Sequence, residues 1–168
     1  MKKVFAVLLV LMLLAGAALA EGHVLLVELD EGAQMVENVA FDDGDFIQTY
    51  QLNGGAQVQL VRYASFDMTL GDLIASEWVG ATDMRVLDVS EIGGCPAQGL
   101  RFLYAEEDRD ALDVTLVVVQ ADETLVFSAV YPQAMGASEI DASVEAMIAS
   151  MDVGMQGEEI VDPTAEVG

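Results

Sequence analysis

Carboxylate groups offer most of the chemistry in this chain, and they gather in two short loops. Their members are Asp42, Asp43 and Asp45 in the first loop, and Glu106, Glu107, Asp108 and Asp110 in the second. Calcium prefers several oxygen ligands of this kind. Neither loop has the spaced glycine and glutamate of an EF-hand. The sequence therefore predicts, as one hypothesis, a calcium site of another type in either loop. The alternative is an ordinary solvated acidic loop.

Histidine and cysteine chemistry has little material here. The chain has one histidine, His23, and one cysteine, Cys95. A hydrolase that uses serine or cysteine needs a base beside its nucleophile, and His23 lies close to a predicted chain end that is usually mobile. A structural zinc site needs more His and Cys ligands than these two residues. We therefore predict no catalytic residue and no zinc site, and we interpret Cys95 as a small buried apolar residue.

Two further reaction classes have weak support in the sequence. Paired carboxylates can cleave glycosidic bonds, but Trp78, Tyr63 and Tyr104 fall at positions that core packing explains better than a sugar-binding cleft. Gly93-Gly94 lacks the spacing and the lysine of a phosphate-binding loop. A hydrolase of unknown substrate is therefore kept only as a second alternative.

Alternating and β-branched residues predict a series of strands. The main candidates are Phe46–Leu52, Ala56–Ala64, Met84–Ile92, Leu100–Tyr104, Leu112–Gln120 and Thr124–Tyr131. A further short strand is possible over Val24–Leu29. The continuous apolar run Leu116–Val119 is typical of a central strand that is covered on both faces.

Two segments have the apolar spacing of amphipathic helices. The first is Thr69–Val79, where Thr69 and Asp72 form a capping-box pattern and Trp78 is interpreted as a core anchor. The second is Ser138–Met151, with Ser138 as its cap. Strands in one run with helices before and after them predict an α+β fold, in which an antiparallel β-sheet carries two amphipathic helices.

The first twenty residues have the layout of a secretory signal peptide. Lys2 and Lys3 precede the charge-free run Val4–Leu14, and Ala18-Leu19-Ala20 supplies small residues before Glu21. We expect cleavage after Ala20 and a secreted or extracytoplasmic product without a stable membrane anchor. The apolar stretch Val4–Ala20 has 17 residues, which is marginal for a spanning helix of about 20 residues. An uncleaved membrane anchor is therefore kept as the alternative.

The remaining chain is predicted to hold one folded domain. We expect an N-terminal segment over 21–45, a single α+β domain over 46–152, and a disordered acidic tail over 153–168. No repeat of a solenoid period is present in the sequence.

The charge balance restricts the partners. Beyond residue 20, four arginines stand against all 29 acidic residues, which gives a net charge of −25. Nucleic acid is excluded because phosphate contacts need clustered basic residues, and anionic lipid would repel the chain. Cations and basic proteins are compatible partners. A solvated acidic surface or a salt-rich habitat would give the same composition.

The layout over residues 46–152 resembles the PsbP-like and DcrB-like family of αβα sandwiches. The features that carry the resemblance are the early helix at Thr69–Ile74, the turn Ile92–Ala97, the strand end Val130–Pro132 and the helix end Ile148–Asp152. The resemblance implies accessory or ligand-binding work without catalysis, and it transfers no functional residue to this chain.

These observations predict a secreted, non-catalytic binding or accessory protein of the bacterial cell envelope. Its partner would be another envelope protein or a small ligand. The first alternative is a calcium- or cation-binding extracellular protein that uses loop 42–45 or loop 106–110.

Overall fold

The fold is built on an antiparallel sheet. The structure is a computed structural model that describes residues 22–105 and 109–155. The strands are β1 His23–Leu26, β2 Gln34–Ala40, β3 Phe46–Gln51, β4 Gln57–Tyr63, β5 Thr82–Val86, β6 Glu91–Ile92, β7 Cys95–Tyr104, β8 Leu112–Gln120, β9 Thr124–Pro132 and β10 Asp152–Met155. The helices are α1 Leu70–Glu77 and α2 Ala137–Ser150.

The main sheet has the strand order β2-β3-β4-β9-β8-β7-β5, and every pair along it is antiparallel. β6 pairs with the start of β7, and β1 and β10 form a separate two-stranded sheet. β8 and β9 lie at the centre of the main sheet. β2 and β5 are its two edges.

The two faces of the sheet carry separate hydrophobic cores, each covered by one helix. On the face called here the α2 face, Val117, Val119 and Phe127 are fully buried with the helix residues Val144 and Met147. The opposite α1 face buries a second set with one helix residue, Leu73; the other members are Val61, Phe102, Val114, Leu116, Val118 and Val126. The prediction that Leu116–Val119 is covered on both faces is confirmed, as is the α+β class.

Helix α1 begins with the predicted capping box. The Thr69 hydroxyl accepts a hydrogen bond from the backbone N–H of Asp72 at 3.1 Å, and the Asp72 carboxylate accepts one from the backbone N–H of Thr69 at 2.9 Å. The Thr69 hydroxyl also donates to the Asp72 carboxylate at 2.6 Å, and this bond, together with the one from the Thr69 backbone N–H, lowers the pKa of Asp72. At the helix end, Trp78 packs edge-on against Phe102 and Tyr104, with ring centroids 5.6 and 5.1 Å apart. Trp78 is therefore the core anchor that the sequence predicts.

Helix α2 begins earlier than predicted. Its N-cap is Gly136, which makes no side-chain capping bond, so the prediction of Ser138 as the cap is wrong. Ser138 lies inside the first turn and is exposed. Asp141, in the same helix, pairs with Arg101 on β7. Within the described part of the chain, no helix is both long and apolar enough to cross a membrane.

Both predicted flanking segments contribute strands to the domain. β1 pairs with β10 from His23↔Met155 to Leu26↔Asp152, and β2 pairs with β3. The folded part therefore includes most of segment 21–45 and extends to Met155, three residues into the predicted tail. β1 overlaps the short strand predicted over Val24–Leu29, but local sequence patterns do not reveal its pairing with β10 across the length of the chain. The predicted signal peptide, 1–20, and the rest of the tail lie outside the described residues.

The predicted strand Met84–Ile92 is divided into β5 and β6. A register shift between Thr82 and Arg85 interrupts β5, where Asp83 takes a positive φ of 52°. Gly93 and Gly94 then form a two-residue hairpin turn with φ of 57° and 77°, a conformation that glycine adopts most easily. Cys95 and Pro96, predicted as part of that turn, already belong to β7, and Cys95 is half-buried.

We expect Leu73→Ala to destabilise the fold strongly, because Leu73 is 2% exposed and is the one α1 residue buried in the α1-face core. Removing a buried leucine side chain costs about 2–5 kcal/mol. Leu70→Ala is the matched control, since Leu70 is half-buried in the same helix. Urea unfolding measures both variants. Equal losses of stability would contradict the assignment of Leu73 as the anchor of α1.

Candidate functional site

The first acidic loop forms a hairpin turn between β2 and β3. The Asp43 carboxylate accepts a hydrogen bond from the backbone N–H of Asp45 at 3.2 Å, and the Asp45 carboxylate accepts one from the backbone N–H of Ala64 at 2.6 Å. Among the residues that the structure describes, no three His, Cys, Asp or Glu side chains are arranged to hold a metal ion. The predicted ligands Asp42, Asp43 and Asp45 are thus not arranged as a metal site: the Asp43 carboxylate bonds within the turn, and the Asp45 carboxylate bonds the backbone after β4.

The second acidic loop is described only in part. Glu106, Glu107 and Asp108 lie outside the described residues, and Asp110 is exposed at the start of the next described segment. The calcium hypothesis for loop 106–110 stays a prediction.

A groove of about 980 Å³ opens at one end of the main sheet. Three segments form its walls: the loop between β4 and α1, the turn between β8 and β9, and the first residues of β7. The side chains that give it chemical character are Phe66, Asp67, Thr69, Gln98, Gln120 and Asp122. Ligand sites in proteins are typically clefts of about 300–1,000 Å³, so the groove has room for a small ligand or a short peptide.

Side-chain hydrogen bonds hold two walls of this groove together. The Gln120 amide donates to the carbonyl of Met68 at 2.9 Å. The Thr124 hydroxyl donates to the carbonyl of Phe66 at 3.2 Å and accepts from the N–H of Met68 at the same distance. The groove is therefore formed before any ligand arrives. The hydrogen bond from Thr124 fixes the backbone carbonyl of Phe66, while the residue remains 62% exposed.

Glu123, which lines the groove, belongs to an ion cluster. One oxygen of Glu123 is 2.7 Å from Nδ1 of His23, and the other is 3.2 Å from Nη2 of Arg62, which is 2% exposed. Burial by itself raises the pKa of the Glu123 carboxyl, but the hydrogen bonds from His23 and the charge of Arg62 outweigh it and hold that pKa below its ordinary value. The cluster joins β1, β4 and the β8–β9 turn.

A second cavity of about 320 Å³ lies on the α2 face and contains Arg101. The guanidinium makes a two-point contact with Asp113, at 2.7 and 2.9 Å, and also pairs with Asp141 of α2. Hydrogen bonding to Asp113 is the largest effect that raises the pKa of Arg101. The cluster connects α2 to β7 and β8, and its carboxylates are occupied by the guanidinium.

Sequence reasoning missed these groups for a physical reason. His23 was expected at a mobile end, yet β1 pairing brings it to Glu123. Polar residues in loops carry no periodic signal, so the groove walls had no pattern to reveal them. The one available signal is Phe66, a large apolar residue within the polar stretch Ser65–Asp67.

Comparison with known proteins gives no family. No protein-family profile matches the chain, and no curated protein matches it. The solved structure of PA94 from Pseudomonas aeruginosa, a protein of unknown function, is similar with 17% identity and a TM-score of 0.44, over 71% of this chain and 85% of that chain. LpqN, involved in cell envelope biogenesis of Mycobacterium tuberculosis, is similar with 9% identity and a TM-score of 0.44, over 83% and 87%. Similarities this distant carry no argument about what this chain binds.

We expect Asp45→Ala to lower the free energy of unfolding by about 1–3 kcal/mol, because the N–H of Ala64 loses a charged acceptor. Asp42→Ala is the control, since Asp42 is exposed in the same loop and its change should leave stability nearly unaltered. Thermal unfolding with and without millimolar calcium checks the result. A calcium-dependent stabilisation that disappears in both variants would show that the loop binds the ion after all.

We expect Glu123→Gln to weaken the protein at neutral pH, by about 1–3 kcal/mol from the lost charged hydrogen bonds. Because the pKa of Glu123 is lowered by folding, its stabilisation is complete above the ordinary carboxyl pKa and disappears as the pH falls through the lowered value. The difference in unfolding free energy between wild type and variant should therefore shrink on acidification.

Chemical denaturation across an acid pH series measures that difference. Asp122→Asn is the control, because Asp122 is the exposed neighbouring carboxylate. A difference for Glu123→Gln that stays constant down to strong acid would contradict the stabilising ion cluster.

Proposed function

We propose that this protein is an exported, non-catalytic binding protein of the bacterial cell envelope, and that the groove beside the β8–β9 turn is its ligand site. The observation that carries the proposal is the groove itself, about 980 Å³ in volume with walls held together by hydrogen bonds. A site formed in advance loses less entropy when a ligand binds.

The groove favours a ligand with amino or hydroxyl groups next to a flat apolar surface. Asp67 and Asp122 offer carboxylates, Gln98 and Thr69 offer polar hydrogen-bonding groups, and Phe66 offers an exposed ring. Glu123, which also lines the groove, is paired with Arg62. A cationic or polyhydroxylated ligand such as an amino sugar fits this chemistry, because an ammonium group is attracted both to carboxylates and to an aromatic face.

The non-catalytic part of the proposal rests on the carboxylates of Glu123 and Asp113, which line the first and the second cavity. Glu123 is engaged by His23 and Arg62, and Asp113 is engaged by Arg101. A general acid or base needs a pKa near the working pH, whereas the partners of Glu123 lower its pKa.

Export and family are supported by different features. The signal-peptide layout of residues 1–20 supports export. The position of one helix on each face of the sheet supports the proposed relation to the PsbP-like and DcrB-like sandwiches. Because that resemblance implies accessory work, we include an accessory role in the envelope in the proposal.

A chitosan tetrasaccharide, which carries free amines, is a suitable probe for the groove. We expect it to shift the NMR signals of the groove residues, and Phe66→Ala to weaken binding about two- to fivefold, in line with an exposed cation–aromatic contact. Val79→Ala is the control, because Val79 is similarly exposed outside the groove walls.

The fully acetylated tetrasaccharide, which has no charge, should bind more weakly than chitosan. Shifts that avoid the groove, or equal affinity in Phe66→Ala, would remove the groove as the site. Cleavage of either sugar, detected by mass spectrometry, would overturn the non-catalytic proposal.

A further inference from the structure

The edge strand β2 is exposed along its whole length. All seven of its residues are exposed, and it pairs only with β3 among the described residues. Four large apolar side chains stand out on this strand and the residue after it: Met35, Val36, Val39 and Phe41, exposed by 42%, 59%, 37% and 49%. Exposed apolar patches on a sheet edge mark places where another chain can add.

The backbone of β2 has groups available for such an addition. The N–H of Phe41 donates to the carbonyl of Asp45 at 2.9 Å, so this pair is hydrogen-bonded. Bonded and non-bonded pairs alternate in an antiparallel ladder, and the N–H and C=O groups of Asn38 and Ala40 therefore point away from β3. The register shift at Val36 ends the regular stretch on one side. Glu37–Phe41 remains as a short regular edge.

The side chains of this stretch define a pattern on the α1 face of the sheet. Glu37 lies opposite Thr49, whose hydroxyl donates to the Glu37 carboxylate at 2.8 Å. Val39 lies opposite Ile47. Phe41 follows on the same face because alternate residues share a face. A partner strand would therefore meet one acid and then two apolar side chains.

The charge around β2 identifies the class of partner. Residues 24–61 contain seven acidic residues and no lysine, arginine or histidine. A second copy of this chain would bring the same negative edge and would be repelled, because like charges placed opposite each other across a strand pair are destabilising. A basic segment would be attracted.

We infer that the Glu37–Phe41 edge of β2 docks an extended, basic segment of another protein as an added strand. Main-chain hydrogen bonds to Asn38 and Ala40 would give affinity, and alternate side chains would give specificity. The edge shares no residue with the groove, so the inference does not depend on the proposed ligand site.

The peptide Lys-Thr-Val-Lys-Val-Thr-Lys places basic and apolar residues on one face and is the probe. We expect it to shift the NMR signals of Glu37–Phe41 in the folded protein. Its affinity should fall as the salt concentration increases. A peptide with each lysine replaced by glutamate should bind at least tenfold more weakly. Equal binding of the two peptides would contradict the charge argument.

Ala40→Pro tests the backbone directly. It removes an N–H that points away from β3, a position where proline is tolerated in an edge strand, so we expect a folded protein with at least tenfold weaker peptide binding. Glu37→Gln, a milder change, should weaken binding several-fold and reduce the salt dependence. This second variant tests the inference if the proline variant does not fold.

Three outcomes would overturn the inference. The first is unchanged peptide affinity in both variants. The second is a set of NMR shifts located in the groove and absent from β2. The third is self-association of the protein through β2, detected by sedimentation and abolished by Ala40→Pro, which would make a second copy the occupant.

Discussion

Burial of the central strands on both faces is the constraint on which the rest of this structure depends. Val114, Leu116 and Val118 of β8 point to one side, and Val117 and Val119 point to the other, each at most 3% exposed. Apolar burial contributes about 25 cal/mol per Å², so neither side can remain in water. The chain must supply a cover for each face, and it does so with one helix before the central hairpin and one after it.

The two covers differ in size, and this difference determines which surfaces remain open. Helix α2 is 14 residues long, whereas α1 has 8. The α1 face beside β2 and β3 is therefore faced with polar side chains: Gln59 donates to Thr49 at 3.3 Å, and Thr49 donates to Glu37 at 2.8 Å. Because these polar side chains are hydrogen-bonded to one another, the sheet can extend to β2 without a third helix to cover it. The groove similarly lies beyond the N-terminus of α1, where the sheet end is covered by loops alone.

Elements with a local signal could be predicted from the sequence, and elements formed by distant pairing could not. The apolar run Leu116–Val119 and the Thr69–Asp72 capping box each depend on neighbours within a few residues, and both are present as predicted. In contrast, most of β10 was predicted as part of the tail, and it becomes a strand by pairing with the distant β1. The prediction of Ser138 as the cap failed because the helix begins at Ala137 with Gly136 as its N-cap, which leaves Ser138 inside the first turn.

The same distinction explains the candidate sites. Acidic loops are conspicuous in sequence, yet Asp43 and Asp45 use their carboxylates for bonds to the backbone, one within the turn and one to Ala64 after β4. The Arg62–Glu123–His23 cluster joins residues that lie up to 100 positions apart. Edge exposure of β2 follows from strand order, which alternation of residue types does not encode.

Amide hydrogen exchange of the free protein, followed by NMR, tests the central claim most directly. The claim is that a doubly covered hairpin supports a sheet with an open edge. We expect the amides of β8 and β9 to exchange slowest, through global unfolding alone. The amides of Asn38 and Ala40 should exchange rapidly from the native state. Protection of Asn38 and Ala40 equal to that of Val117, or rapid exchange at Val117, would contradict the claim.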